Sequence, residues 1–358
     1  MIVTLLLGLL CSVINFFGYI QKSDFGLKFS FVLIFLFLGL RYDFGNDYET
    51  YIELFNRVNE NPDIAFDQKM YLFYEPGWMI LNWLFRPLGF FGMTIFLALV
   101  YSITIYKLIK KYVPPKYYWF VVFLVIFNPG FLMIHSTTMR QTVAILLFIC
   151  SINFIVNKNY LRFIICIALA ATFHYTSLTI LLISPFFLNN RKVSIVYGTL
   201  LFSLYLFIFL FSSFLAPYFG QLVSLFSEKY ETYSDKGITN SGLGFLLYSI
   251  LFLLTLNLDK IQDKKIAFFF KLVIVYFMLI PFALIIEMTS RIGMFFFPAV
   301  LIVYPFIYKT LKSRISRYIF LFGIMLFTMY QFFQFFYSTT YKDYFMEYHT
   351  FFSAPKWN

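Results

Sequence analysis

Long apolar runs alternate with short polar joints along the whole chain. The runs lie near 2–20, 27–40, 88–106, 117–134, 141–156, 161–173, 176–188, 193–219, 243–258, 266–286, 292–308 and 318–337. An α-helix needs about 20 apolar residues to cross the hydrocarbon of a bilayer. A transmembrane barrel would instead show short segments of alternating polarity. The pattern therefore predicts an all-α, polytopic helical membrane protein of about twelve transmembrane spans, organised as a single integral membrane domain over 1–358. Met1–Ile20 has no basic n-region and no clear cleavage site, so it reads as a first span and not as a removed signal peptide. Segment 70–90 is also apolar, but parity allows only one net crossing between the acidic stretch 41–75 and Lys107. Residues 76–86 are thus predicted to form a short helix on the outer interface, ended by Arg86-Pro87. That helix belongs to a predicted extracytoplasmic loop over 41–87, and a second such loop covers 220–242. Runs 161–173 and 176–188 are only about 20 Å long each. They are predicted to form a tight helical hairpin with His174-Tyr175 at its tip.

Composition removes the alternatives. Mean hydropathy is +0.78. The chain is 61% hydrophobic and 13% charged, where soluble domains carry about 25% charged residues. Soluble, disordered and disulfide-rich secreted classes fall away together. The 53 Phe and 28 Tyr suit lipid-facing helices with aromatic belts. Charge then orients the chain. With the N-terminus outside, one set of alternate loops holds eighteen of the 28 basic residues against three acids. The positive-inside rule makes that side cytoplasmic and places both termini outside. The net charge of +11 is accounted for by orientation, and no basic folded face for nucleic acid is indicated. Cys11, Cys150 and Cys166 lie inside apolar runs without zinc-ligand spacing, and three histidines leave no room for a histidine-rich metal site. No metal and no cofactor is predicted.

Conspicuous polar residues fall at the outer ends of the runs. Arg41-Tyr42-Asp43-Phe44-Gly45-Asn46-Asp47-Tyr48, with Tyr51, follows the second run, and Glu75-Pro76-Gly77-Trp78 opens the interfacial helix. His135 to Gln141 joins the fourth and fifth runs, Phe173-His174-Tyr175-Thr176 forms the hairpin tip, and Glu287 to Arg291 joins the tenth and eleventh. Each has a bland reading: Arg41 as a snorkelling helix end, the tyrosines as an interfacial belt, Arg140 and Gln141 as a helix-end pair, His174 as a satisfied polar residue. Taken together they say more. Arg41, Arg140 and Arg291 sit flush with span ends on the side poor in basic residues. Such arginines need acids (Asp43, Asp47, Glu75, Glu287) or an anionic ligand beside them. A guanidinium fork matches phosphate oxygens bidentately. Carboxylates accept sugar hydroxyls, and aromatic faces stack on sugars. A lipid-tailed, anionic, sugar-bearing substrate fits that set. No phosphate-binding Gly-rich loop, HExxH or GxSxG occurs.

These residues resemble the EpsG-like family of Wzy-type polysaccharide polymerases. The resemblance is carried in order by Arg41 to Tyr48 with Tyr51, Glu75-Pro76-Gly77-Trp78, Met139-Arg140-Gln141 with Ala144, Phe173 to Ser177, and Arg291, across roughly 40 to 350. Thr138 and Met139 stand where relatives often carry a small residue and Gly, and Phe345 and Glu347 replace the Tyr and Pro of a common Tyr-x-Pro-Tyr tail. The resemblance implies a fold like that of the C-type glycosyltransferases and a role in joining lipid-linked oligosaccharides at the outer face of the cytoplasmic membrane. The growing glycan on undecaprenyl pyrophosphate would be donor and a new lipid-linked repeat acceptor, with inversion at the anomeric carbon. Implied partners are those undecaprenyl-pyrophosphate-linked oligosaccharides, the lipid bilayer and a chain-length regulator. Arg140, Arg291 and then Arg41 are the candidates for the pyrophosphate. His174, then Asp43 and Asp47, are candidates for the base, with Glu75 orienting an arginine or a sugar. His174 as a cationic pyrophosphate ligand is the other role open to it. Tyr42, Tyr48 and Gln141 are candidates for sugar contacts. A flippase of lipid-linked oligosaccharide would want charges deep within spans, and the spans' centres here are nearly charge-free. A glycan acyltransferase would want cytoplasmic chemistry, and a ligase of the same chemistry differs only in acceptor.

Overall fold

The computed structural model describes residues 1–20, 23–189, 193–224, 242–256, 261, 263–286 and 288–353. Among these residues the chain is helical, apart from one two-residue antiparallel pair, β1 (Arg41–Tyr42) with β2 (His349–Thr350). Each of the twelve apolar runs contains an apolar helix. Five described stretches are long and apolar enough to cross a membrane: Pro76–Tyr112, Met139–Val156, Lys264–Ala283, Met288–Thr310 and Arg314–Tyr337. Ile195–Leu210 and Ser212–Tyr218, bent by 79°, make a sixth if they are one broken span. The other apolar stretches, the first of them counted over Ile2–Gly18, have 10–17 residues. At 1.5 Å per residue such helices reach about 15–25 Å, less than a hydrocarbon core of about 30 Å. The protein is thus a multi-pass helical membrane protein in which length qualifies five or six spans, where the runs predict twelve.

The chain forms two compact units, Met1–Leu178 with Lys312–Asn358, and Thr179–Leu311. The first unit begins with α1 (Ile2–Ile20) and α2 (Phe25–Gly39). Asn15 of α1 ties the two together, its side-chain amide donating to the Ser30 hydroxyl at 2.6 Å, since polar side chains join apolar helices where no water competes. After β1 comes α3 (Tyr48–Glu60), a helix inside what reads as a loop in the sequence. Its buried face is Tyr48, Tyr51, Leu54, Phe55 and Val58, a helical spacing that marks one apolar stripe on an otherwise polar segment. That stripe packs with Trp78, Met79 and Phe90 in one hydrophobic cluster. The next helix, α4 (Pro76–Phe85), is separated from α5 (Gly89–Tyr112) by a 3₁₀ turn at Arg86–Leu88. Then follow α6 (Tyr118–Phe127), α7 (Met133–Thr137), α8 (Met139–Val156) and α9 (Tyr160–Ala171).

The C-terminal part of this unit is α17 (Arg314–Tyr337) and a short α18 (Lys342–Phe345). Its tail straps the segment after α2. The Gly45 amide donates to the Tyr344 carbonyl at 3.3 Å, and the Phe351 amide to that of Leu40 at 3.1 Å. Tyr348 donates its hydroxyl to the Phe37 carbonyl at 2.6 Å and stacks on the Phe37 ring at 4.6 Å. Phe345 is fully buried, while the Glu347 side chain is exposed. The tail thus places an apolar ring where its environment is dry and an acid where it is wet.

The second unit holds α10 (Thr179–Leu188), α11 (Ile195–Leu210), α12 (Ser212–Ser224), α13 (Gly242–Thr255), α14 (Lys264–Ala283), α15 (Met288–Phe296) and α16 (Val300–Thr310). Its core is aromatic: Tyr205 meets Phe252 at 5.0 Å, Phe252 meets Phe277 at 5.6 Å, and Phe187 meets Phe268 at 5.8 Å. The Tyr205 hydroxyl is satisfied by Ser249 at 3.2 Å. Most of the predicted loop 220–242 lies outside the described residues, as does Glu287. The two arms of the predicted hairpin, α9 and α10, fall in different units.

Candidate active site

The site grows from one close backbone approach. Pro76 starts α4, where its missing N–H costs nothing. Gly77 follows, and its amide donates to the Thr172 carbonyl at 2.7 Å. A Cβ at position 77 would lie 2.8 Å from that oxygen and 2.3 Å from the Thr172 hydroxyl, so only glycine lets the start of α4 meet the end of α9. Trp78 is wholly buried and edge-packed on Tyr51 at 5.2 Å, which anchors the turn. His174 stands two residues beyond Thr172, and Glu75 two before Gly77, so this docking sets the two side chains face to face. Replacing Gly77 with Ala overpacks the contact. The expected result is a loss of about 1–3 kcal/mol, read as a lower midpoint of thermal unfolding by circular dichroism in detergent. A Gly77→Ala protein that melts like wild type would overturn the role assigned to this approach.

The Glu75 carboxylate is shared. One oxygen lies 3.2 Å from His174 Nδ1, and the other is ion-paired with Arg140 Nη1. Arg140 is the second residue of α8. Its guanidinium also lies over the Tyr74 ring, 5.5 Å from the centroid, and its charge acts on the buried Tyr51 hydroxyl. The side chains of Glu75, His174 and Arg140 are 8, 12 and 26% exposed, so the charges are largely screened from water and strongly coupled. Burial pushes the Glu75 carboxyl up, but the His174 hydrogen bond and the Arg140 charge outweigh it and hold it below the usual glutamate value. Against an ionised Glu75, His174 donates from Nδ1, and in the neutral ring that leaves the lone pair on Nε2. Nε2 is buried and has no hydrogen-bond partner among the described residues, and neither has Arg140 Nε.

Arg41 is not part of this cluster. It is 3% exposed and donates to two carbonyls, those of Leu38 and Ser136, the latter at 3.2 Å. Burial lowers its guanidinium below the ordinary value. With His135, Ser136 and Thr142 it lines a cavity of about 20 Å³, large enough for about one water. His135 meets Thr142 at 3.0 Å through Nδ1, and burial pushes it down to about 4, so it is neutral near neutral pH. Arg41 therefore clamps the end of α2 to the segment before α8. The following loop makes the same connection: Gly45, at φ +136°, touches Thr137, whose hydroxyl donates to Asn46 and accepts from the Asp47 amide at 3.1 Å. Asp43 is exposed and left-handed at φ +45°.

Of the other residues predicted for the site, Tyr48 is 1% exposed, its hydroxyl donating to the Arg41 carbonyl at 3.3 Å. In this conformation it presents no ring face to a sugar. Tyr42 is half-buried against Tyr48 and Phe91, and Gln141 is 2% exposed. Arg291 stands on α15 of the second unit. Among the described residues no three of His, Cys, Asp and Glu are grouped to hold a metal ion. Tyr74, whose ring lies under Arg140, is missed by the sequence reading, and Tyr51 is named there without a role at the site. The signal for Tyr51 was its spacing of three from Tyr48 inside an amphipathic stripe.

No curated protein and no solved structure matches the chain significantly. A family model does, over residues 27–350, from early in α2 to the end of β2. That stretch takes in Glu75, Arg140 and His174 as well as the clamped Arg41 segment and its tail strap. By this match over nearly its whole length, the chain belongs to the EpsG family, whose members are Wzy-type polysaccharide polymerases.

Proposed function

We propose that the chain polymerises oligosaccharide repeat units at the outer face of the cytoplasmic membrane, by inverting transfer from an undecaprenyl-pyrophosphate-linked glycan to a lipid-linked repeat. The observation that carries this reading is the Glu75 carboxylate held between Arg140 and His174. His174, oriented through Nδ1, takes the proton of the acceptor hydroxyl at Nε2. The acceptor oxygen forms its bond to the anomeric carbon from the face opposite the pyrophosphate. The bond from that carbon to the pyrophosphate oxygen breaks, and undecaprenyl pyrophosphate leaves with the electron pair. Arg140 meets the growing negative charge. Glu75 engages Nη1, and the Nε edge of the fork is without a hydrogen bond among the described residues. Preorganised donors of this kind act where charge develops in the transition state. Arg291 keeps its candidacy from sequence alone. Arg41, committed to two carbonyls, serves the site by holding the segment that leads into α8. Asp43 and Asp47 are the reserve candidates for the base.

Glycan analysis of a deletion strain tests the activity. The expected result is single repeat units on lipid or at the surface, with polymer absent. Loss of all surface glycan with repeat units accumulating inside would point to a flippase. Normal single-unit assembly and normal chain length, with finished glycan left on its lipid, would point to a ligase.

A further inference from the structure

A second cavity of note lies in the first unit, lined by none of the residues around Glu75. Phe31, Val32 and Phe35 of α2 and Leu99, Ile103 and Tyr106 of α5 line an apolar groove of about 340 Å³, with Lys28 at its end. The positions repeat at three and four residues on both helices, so the groove is the furrow between two helix faces that pack side by side. Val32, Leu99 and Ile103 are 52, 41 and 42% exposed, so the furrow opens sideways, where a membrane chain would lie. Lys28 is thirteen residues before Arg41, about 20 Å along the helix axis. The groove's charged end is therefore remote from the arginines at the outer ends of the spans.

That end is strongly basic. Lys28 and Lys110 both contact the Asp24 carboxylate, at 3.4 and 2.9 Å. Lys110 also reaches over the Tyr106 ring at 5.6 Å. Lys107 and Lys111 are exposed on the same last turns of α5. One carboxylate thus takes two ammonium groups at the mouth of an apolar furrow, which leaves a net positive charge there. An excess of cations at the end of a hydrocarbon-lined groove is complementary to one kind of membrane molecule, with an anionic head and a straight apolar tail.

We propose that the groove between α2 and α5 holds an acyl chain of an anionic glycerophospholipid, whose phosphate sits between Lys28 and Lys110. The proposal does not depend on the polymerase reading. A neutral lipid would fill the furrow equally well but would leave the lysines without a phosphate group. The ordinary annular layer around the protein has no preference between heads.

The test uses the full chain in phosphatidylcholine vesicles doped with a phosphatidylglycerol that carries a photoreactive group on its acyl chain. Cross-linked residues are mapped by mass spectrometry. Labelling is expected to concentrate on Val32, Leu99 and Ile103 and to be displaced by unlabelled phosphatidylglycerol but not by phosphatidylcholine. Lys28→Gln should lower it about fivefold, and Lys28→Gln with Lys110→Gln about 25-fold, from the attraction of single basic residues for an anionic head. Val32→Trp, which blocks the furrow and leaves the lysines in place, should remove the label as well. Equal labelling by a photoreactive phosphatidylcholine, label spread evenly over all exposed apolar faces, or an unchanged pattern in the double lysine variant would each overturn the proposal and leave annular lipid only. So would labelling displaced by a polyprenyl phosphate and not by phosphatidylglycerol.

Discussion

Replacing His174 with Ala is expected to lower polymerisation turnover about 10²–10⁴-fold, the range for loss of a positioned general base, while donor binding changes little. The expectation rests on the Glu75 contact at Nδ1 and on the unpartnered Nε2 opposite it. Glu75→Gln tests the same unit from the other side. It removes the charge that keeps His174 donating from Nδ1 and leaves Arg140 without its ion pair. Groups that act together lose activity together, so the double variant His174→Ala with Glu75→Gln should be little worse than the worse single one. Purified protein with lipid-linked repeats, assayed for chain length and rate, reads all three. Thermal unfolding is compared first, because Glu75 also bridges α4 to α8 and the end of α9. Near-normal chain growth by His174→Ala would end its assignment as base and move the role to Asp43 or Asp47.

Arg140→Lys is expected to cost on the order of 10²–10³-fold in rate, the effect of removing one preorganised transition-state donor. The lysine keeps the charge. It loses the planar fork that lets Arg140 pair with Glu75 and stack on Tyr74 at once. A merely structural arginine would show its loss mainly in stability, with turnover of the surviving protein intact. Tyr51→Phe separates the two. It deletes one hydroxyl from a buried, well-packed ring that lies within the influence of the Arg140 charge. The expected result is a fall in rate with less than tenfold change in the apparent Km for acceptor. An Arg140→Lys protein that polymerises at the wild-type rate would remove Arg140 from the chemistry.

The placement of these residues shows how far a sequence carries and where it stops. The Glu75-Pro76-Gly77-Trp78 motif is visible as a string, but its content is tertiary: proline begins a helix, glycine admits a carbonyl from 95 residues downstream, and tryptophan anchors the turn in a cluster built by α3. Arg41 reads as a third pyrophosphate candidate only in company with Arg140 and Arg291, and the fold adds what no string shows, that it donates to the carbonyls of Leu38 and Ser136. Tyr48 reads as a belt residue and is buried, because it belongs to the inner stripe of a helix hidden in an apparently polar loop.

Hydropathy alone determined the class, since a bilayer demands long apolar helices whatever their order in space. It also located the apolar helices, though not α3, and showed that arginines, acids and a histidine gather at their ends. Which of these meet was decided only by the packed structure. Glu75 pairs with Arg140 across 65 residues and with His174 across 99, and no local propensity encodes such distances. The same holds for the tail strap, where Tyr348 reaches Phe37 across 311 residues. The physical reason is that helix formation and burial are set by local composition, whereas a buried ion pair is set by which faces of distant helices pack together, and that depends on every contact in the unit at once.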